Sequence, residues 1–179
     1  MISDQIPDIP IFQDLSRIQI DDLSEWLERG VFPKGHVFFK EGSQPDGMYV
    51  LAKGKVEVLK STANGHTVLT ELTGPSVFGE MCLLSRDPRS ASLVANTEVI
   101  VGRLPLSVYD AKIAAGHLTA YRLAMNVGRI ATHRLRWALD RLIELSHTPE
   151  DLTVSRERLV EVTRRLSGIY KAVKKEDES

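Results

Sequence analysis

Three textures of apolar spacing follow one another along the chain. After an extended lead-in carrying Pro7 and Pro10, the residues Phe12, Leu15, Ile18, Leu23, Trp26 and Leu27 recur at helical spacing. Asp21 or Asp22 with Glu25 reads as a helix start and Gly30 as a stop, which predicts two short helices. From Val31 to Leu106 the apolar runs shorten. Val37 to Phe39, Met48 to Leu51, Val56 to Leu59, Thr67 to Leu72, Ala91 to Val94 and Val99 to Val101 are strand-like, and glycines such as Gly35, Gly42, Gly54 and Gly74 separate them. Glu57 alternates with Val56 and Val58 as on a half-buried strand, and Asn64-Gly65 marks a hairpin. Many short strands at this spacing predict an antiparallel barrel or roll.

After Pro105 the helical period returns. Ser107 to Ala115 reads as one short helix closed by Gly116, and His117 to Ser146 as a long one. Its apolar stripe is Ala124, Val127, Ala131, Leu135, Ala138, Leu142 and Leu145, widened by Leu118, Tyr121, Met125 and Leu139. Such a helix is about 45 Å long. It overhangs the predicted roll, so its surplus apolar surface is expected to meet the same helix of a second copy in a parallel homodimer. Gly128 within the stripe either permits close helix approach or weakens the helix. His147 to Asp151 breaks the rod, and a last helix is predicted from Leu152 to Lys174. The expected fold class is α+β, mainly β: an antiparallel β-roll or jelly roll with short N-terminal helices and a long C-terminal helix. The expected divisions are a helical lead-in over 1–30, the roll over 31–116, the long helix over 117–147, and a C-terminal helix and tail over 148–179.

One stretch is longer than a turn between strands needs. From Val77 to Val94 an apolar entry leads to Gly79-Glu80, a turn of good helix formers, a Pro88-Arg89-Ser90-Ala91 corner and a second extended run. Gly79 lets the backbone approach a ligand closely, and the start of the short helix leaves N–H groups suited to negative charge. Arg89 offers a planar fork that matches two phosphate oxygens, and the N–H groups of Ser90 and Ala91 add donors. Glu80 would repel a phosphate unless it accepts a hydrogen bond from a neutral hydroxyl. A ligand with a phosphate and a sugar hydroxyl close together meets both demands.

Gly79-Glu80, the run to Leu84 and Pro88-Arg89-Ser90-Ala91 resemble the phosphate-binding cassette of cyclic nucleotide-binding domains, the family that includes the catabolite activator protein and the regulatory subunits of protein kinase A. Gly35 with Phe39, Glu41-Gly42, Tyr49 with Leu51, and Gly54 with Val56 fit the same family. The resemblance spans residues 12 to 145. It implies a cassette over 78–92 in which Glu80 takes the ribose 2′-hydroxyl and Arg89 the cyclic phosphate, with Gly79, Met81, Ser90 and Ala91 beside them. It also implies that the base lies against Val58 and Leu69, followed by Thr70. The hydroxyl pair with which the long helix of the catabolite activator protein reaches adenine is absent. His133 and Arg134 stand near those positions, either to stack on or hydrogen-bond the base or as a solvated helix face. Ser90 after Arg89 resembles bacterial cAMP receptors, so cAMP is expected over cGMP.

Composition narrows the alternatives. With 23 basic and 24 acidic residues the net charge is −1, so no overall field draws the chain to nucleic acid or membranes. Cys82 is the only cysteine, which excludes an internal disulfide and an iron–sulfur sensor and favours a reducing cytoplasm. The first residues lack the basic start and apolar run of a signal peptide, and no run is long enough for a membrane span, so a cytoplasmic protein is expected. The five histidines have no metal-ligand spacing, and no local motif assembles a nucleophile with its base, so neither a metal nor an enzyme is expected. A DNA-binding member of the family would continue into a winged helix. The 32 residues after His147 hold seven basic and seven acidic side chains, too few and too balanced for that role. The reading is a regulatory protein that binds cAMP or cGMP and signals through its C-terminal helices to an effector protein. The alternatives are a ligand-free structural or interaction protein of the same fold, and the truncated sensor half of a transcription regulator.

Overall fold

The computed structural model describes residues 9–63 and 65–146, in two compact units, one ending at Thr132 and the other beginning at His133. Near the N-terminus stand a 3-10 turn at Pro10–Phe12 and one helix, α1 (Arg17–Trp26), rather than two α-helices. Helix α1 starts earlier than the Asp21-Asp22 pair predicts. Ser16 Oγ accepts from the Gln19 amide while the Gln19 side chain accepts from the Ser16 amide at 3.0 Å, and this capping box satisfies two donors at once. Ile18, counted on the apolar face, is exposed, and Ile20 is buried instead. Gly30 is not a helix stop. The chain leaves the helix at Leu27, and Glu28–Phe32 forms strand β1, so the roll begins within the stretch assigned to the lead-in.

The remaining strands are β2 (Val37–Phe39), β3 (Gly47–Lys53), β4 (Lys55–Thr62), β5 (Gly65–Thr73), β6 (Ser76–Phe78), β7 (Ser92–Ala95) and β8 (Val99–Pro105). They pair antiparallel in two four-stranded sheets, ordered β1-β8-β3-β6 and β2-β7-β4-β5. The alternation of β3 divides the core between two layers. Tyr49 and Leu51 join Val56, Phe78, Leu93 and Val101 in one cluster. Met48 and Val50 join Leu104 and the helical residues Leu23 and Leu123 in the other.

Helix α2 (Leu106–Ala114) ends before Gly116, whose φ of +72° turns the chain into α3 (Leu118–Ser146). In the first unit α3 buries Ala120, Leu123 and Val127, while Leu118, Tyr121 and Met125 are exposed. The packed stripe is therefore rotated from the predicted one and centres on Leu123. A polar residue helps set the rotation: buried Asn126 donates from Nδ2 to the carbonyls of Ile11 and Gln13 at 3.0 and 2.8 Å. Counting apolar residues cannot detect that constraint. A Cβ placed on Gly128 would meet nothing within 4 Å. Gly128→Ala is thus expected to raise stability by about 1 kcal/mol, read as an upward shift in a thermal melt. The helix predicted from Leu152 and the break before it lie outside the described residues.

Candidate functional site

Strand β6 delivers the chain to Gly79, which adopts φ +68° and opens the 3-10 helix Glu80–Leu83. A Cβ here would lie 2.6 Å from Arg89 Nη1 and 3.3 Å from the Phe39 ring, so glycine serves both the backbone angle and the space. Glu80 and Arg89 are only 4% and 6% exposed, and Ala91 is buried, whereas Met81 and Ser90 face outward. Cys82 is buried too, and burial pushes its thiol up, as befits a packing residue.

The Arg89 guanidinium is held on three sides. Nη1 donates to the Gly79 carbonyl at 3.1 Å, and Nη2 donates to the Gly47 carbonyl at 2.6 Å and to Asp46 Oδ1 at 2.8 Å. The Phe39 ring lies 4.0 Å from the guanidinium carbon. Position 47 requires glycine because β3 runs close to β8, where a Cβ would meet the Leu104 oxygen at 2.4 Å. Arg89 Nε is buried and has no hydrogen-bond partner among the described residues. A buried donor left unpaired costs about 1–3 kcal/mol, so an added acceptor here would be favourable.

The segment between β2 and β3 completes the site. The Arg89 amide donates to the Ser43 carbonyl and the Gly42 amide donates to the Arg89 carbonyl, each at 2.8 Å. Lys60 Nζ donates to the Ser90 carbonyl at 2.7 Å and pairs with Glu41 at 2.6 Å. Asp46 Oδ2 accepts from the Tyr49 hydroxyl and from Arg103 Nη1, both at 2.8 Å. Sequence reasoning passed over Asp46, Lys60 and Arg103. The Asp46-Gly47 pair reads only as a turn, and its partner Arg89 lies 43 positions further along.

These contacts set the acid response. Hydrogen bonds from Lys60 and from the Ser61 backbone hold the Glu41 carboxyl down to about 2. Partial burial raises Asp46, but hydrogen bonds from Tyr49, Arg103 and Arg89 together outweigh it and leave the group below its ordinary value. Both folded-state values lie below the unfolded ones, so the stabilisation is present above the unfolded carboxylate range and is lost as pH falls through the folded values. The melting temperature is expected to fall steadily below about pH 5, and Glu41→Gln should flatten that fall. A Glu41→Gln profile superimposable on the wild type would contradict this assignment.

The expected base-facing residues fall on β4 and β5. Val58 is half-buried and pairs with Thr70, which is exposed. The register then shifts, since Leu59 pairs with Val68, and Leu69 occupies the resulting bulge with 59% of its surface exposed. A bulge re-aims a side chain, which explains an exposed leucine within a strand. His133 and Arg134 belong to the second unit and are exposed, so the site as described is built by the first unit. Among the described residues no group of His, Cys, Asp and Glu is placed to hold a metal ion, and no helix is long and apolar enough to cross a membrane.

Residues 29–115 match the family model described as the cyclic nucleotide-binding domain. The chain is 36% identical over 90 residues to a CRP-like cAMP-activated global transcriptional regulator of Mycobacterium tuberculosis, covering 50% of this chain and 40% of that one. It is 34% identical over 110 residues to the cAMP-dependent protein kinase regulatory subunit of Debaryomyces hansenii, covering 62% of this chain and 24% of that one. Among solved structures, the Thermus thermophilus catabolite activator protein superimposes with a TM-score of 0.68 at 30% identity, covering 76% of this chain and 63% of that one. The chain thus spans less than two thirds of each of these relatives.

Proposed function

The chain belongs, through residues 29–115, to the cyclic nucleotide-binding domain family, and from that premise we propose that it binds a cyclic mononucleotide and regulates a partner protein. The observation that carries the proposal is Arg89: buried over Phe39, anchored by Nη1 and Nη2, and with its Nε unpaired among the described residues. A cyclic phosphate would take the Nε edge and the amides of Ser90 and Ala91, while Glu80 would accept from the ribose 2′-hydroxyl. Val58, Leu69 and Thr70 would border the base. We assign cAMP over cGMP, on Ser90 and on the cAMP dependence of the two relatives named above.

Transmission would run from the cassette into the helices. Arg86 donates to the Cys82 carbonyl and pairs with Asp110 of α2, which joins the cassette to the segment leading into α3. Phosphate binding would move the cassette, shift α2 through this pair, and change what α3 and residues 152–174 present to an effector. This is a population shift between two arrangements. A homodimer would cover the exposed Leu118, Tyr121 and Met125.

One observation favours a different reading. Arg89 already bonds Asp46, Gly47 and Gly79, so it could serve only to tie the 40–47 segment to the cassette in a structural protein. Calorimetric titration with cAMP, cGMP and 5′-AMP separates the two. Saturable binding of cAMP, tighter than cGMP and far tighter than 5′-AMP, is expected. Heat of dilution alone with all three would leave the structural reading. With cAMP bound, hydrogen exchange unchanged across residues 117–174 would contradict the transmission route.

A further inference from the structure

Away from the cassette, a cavity of about 320 Å³ lies at the side of the roll where β1 and β2, each an edge strand of its sheet, approach one another. We propose that it binds a small aromatic carboxylate, with the carboxylate on Arg103 and the ring against Phe32, His36, Phe38 and Tyr49. The volume falls in the range of small-ligand sites. Phe32, His36 and Phe38 pack on one another with ring centroids 4.4, 5.2 and 4.9 Å apart, and Phe38 meets Tyr49 edge-on at 5.5 Å. Such a wall suits the edge or face of another flat ring.

Arg103 brings the charge to the same cavity. Its Nε and Nη2 both donate to one oxygen, Oε2 of Glu28, at 3.0 and 2.7 Å. Two donors converging on a single oxygen leave the bidentate match of a guanidinium unused, and a carboxylate offering both oxygens would use it. The Glu28 side chain is 60% exposed, so its displacement into water costs little. Arg103 Nη1 stays on Asp46 Oδ2, which keeps the guanidinium oriented while Glu28 leaves. Glu28 therefore occupies the place of a ligand carboxylate. An amine is disfavoured, because it would sit beside Arg103 as well as Glu28.

The test uses the intact chain with benzoate as probe, followed by calorimetry and ligand-observed NMR, with benzamide as the neutral control. Saturable one-site binding of benzoate is expected, with benzamide weaker by about tenfold or more. Arg103→Gln should weaken benzoate by about tenfold. Glu28→Gln leaves Arg103 facing only a neutral amide oxygen, which a carboxylate displaces more readily, and should strengthen benzoate by about threefold or more, a gain that a damaged fold cannot imitate. Benzoate should still bind at its own site with cAMP saturating, although Asp46 bridges Arg103 to Arg89 and lets the two affinities influence each other. Absence of saturable binding by both the wild type and Glu28→Gln would overturn the proposal, as would equal binding of benzamide. Strict competition, in which saturating cAMP abolishes benzoate binding, would also overturn it, because it would place the probe at Arg89. Benzoate binding with this variant pattern in a chain that ignores cAMP would support the proposal while removing the cassette reading.

Discussion

Arg89→Ala is expected to weaken cAMP binding by about 2 to 5 kcal/mol, which is more than about thirtyfold. The size of the effect follows from where the guanidinium sits. It is 6% exposed and stacked on Phe39, so its attraction to a phosphate is little screened by water. Alanine also removes the donors to Asp46, Gly47 and Gly79 and leaves the Asp46 carboxylate facing an incoming anion. Part of the loss would then be a looser fold, and Arg89→Lys separates the contributions. Lysine keeps a positive charge but has no fork, so it cannot hold the Gly47 and Gly79 carbonyls and a phosphate at the same time. Arg89→Lys is expected to melt closer to the wild type than Arg89→Ala and still lose about tenfold or more in affinity. Calorimetry and thermal denaturation on the two variants measure this. Wild-type affinity in Arg89→Lys would mean that charge alone matters and that the fork reading is wrong.

The parts of the fold legible in the sequence are those whose causes are local. The cassette could be read because a glycine needing positive φ, an acid, helix formers and a Pro-Arg corner stand within one short stretch. Strands β2 to β5, β7 and β8 could be read because each holds a short apolar run and glycines separate most of them. Strand β1 was not legible, since Glu28-Arg29-Gly30-Val31 shows no alternation and its place is set by pairing with β8. The start of α1 was open to reading, as Ser16 and Gln19 spell a capping box, but the acidic pair after them gave a competing signal. The rotation of α3 depends on Asn126 reaching two carbonyls of the N-terminal turn, a contact no helical wheel reveals. The same holds at the site. Glu80 and Arg89 announce themselves, whereas Asp46, Tyr49 and Arg103, which fix how Arg89 is aimed, come together only when β3 and β8 pair.

Gly79→Ala is expected to cost about 1–3 kcal/mol of stability and to reduce cAMP affinity by about tenfold or more, although the residue contributes no side chain to binding. The stability loss comes from φ +68°, an angle that alanine adopts only under strain. The affinity loss has a separate cause. The new Cβ would stand 2.6 Å from Arg89 Nη1, the far end of a flexible side chain, so the guanidinium is what gives way. Once shifted, it leaves the Gly79 carbonyl, and its Nε edge no longer points where the phosphate should lie. Gly35 provides the control: its φ of +87° is as demanding, but a Cβ there would meet nothing within 4 Å. Gly35→Ala should therefore lose comparable stability in urea denaturation and keep its cAMP affinity. If both variants bind cAMP as the wild type does, the position of Arg89 is not what the glycine secures; if both lose affinity alike, general loosening of the roll is the cause.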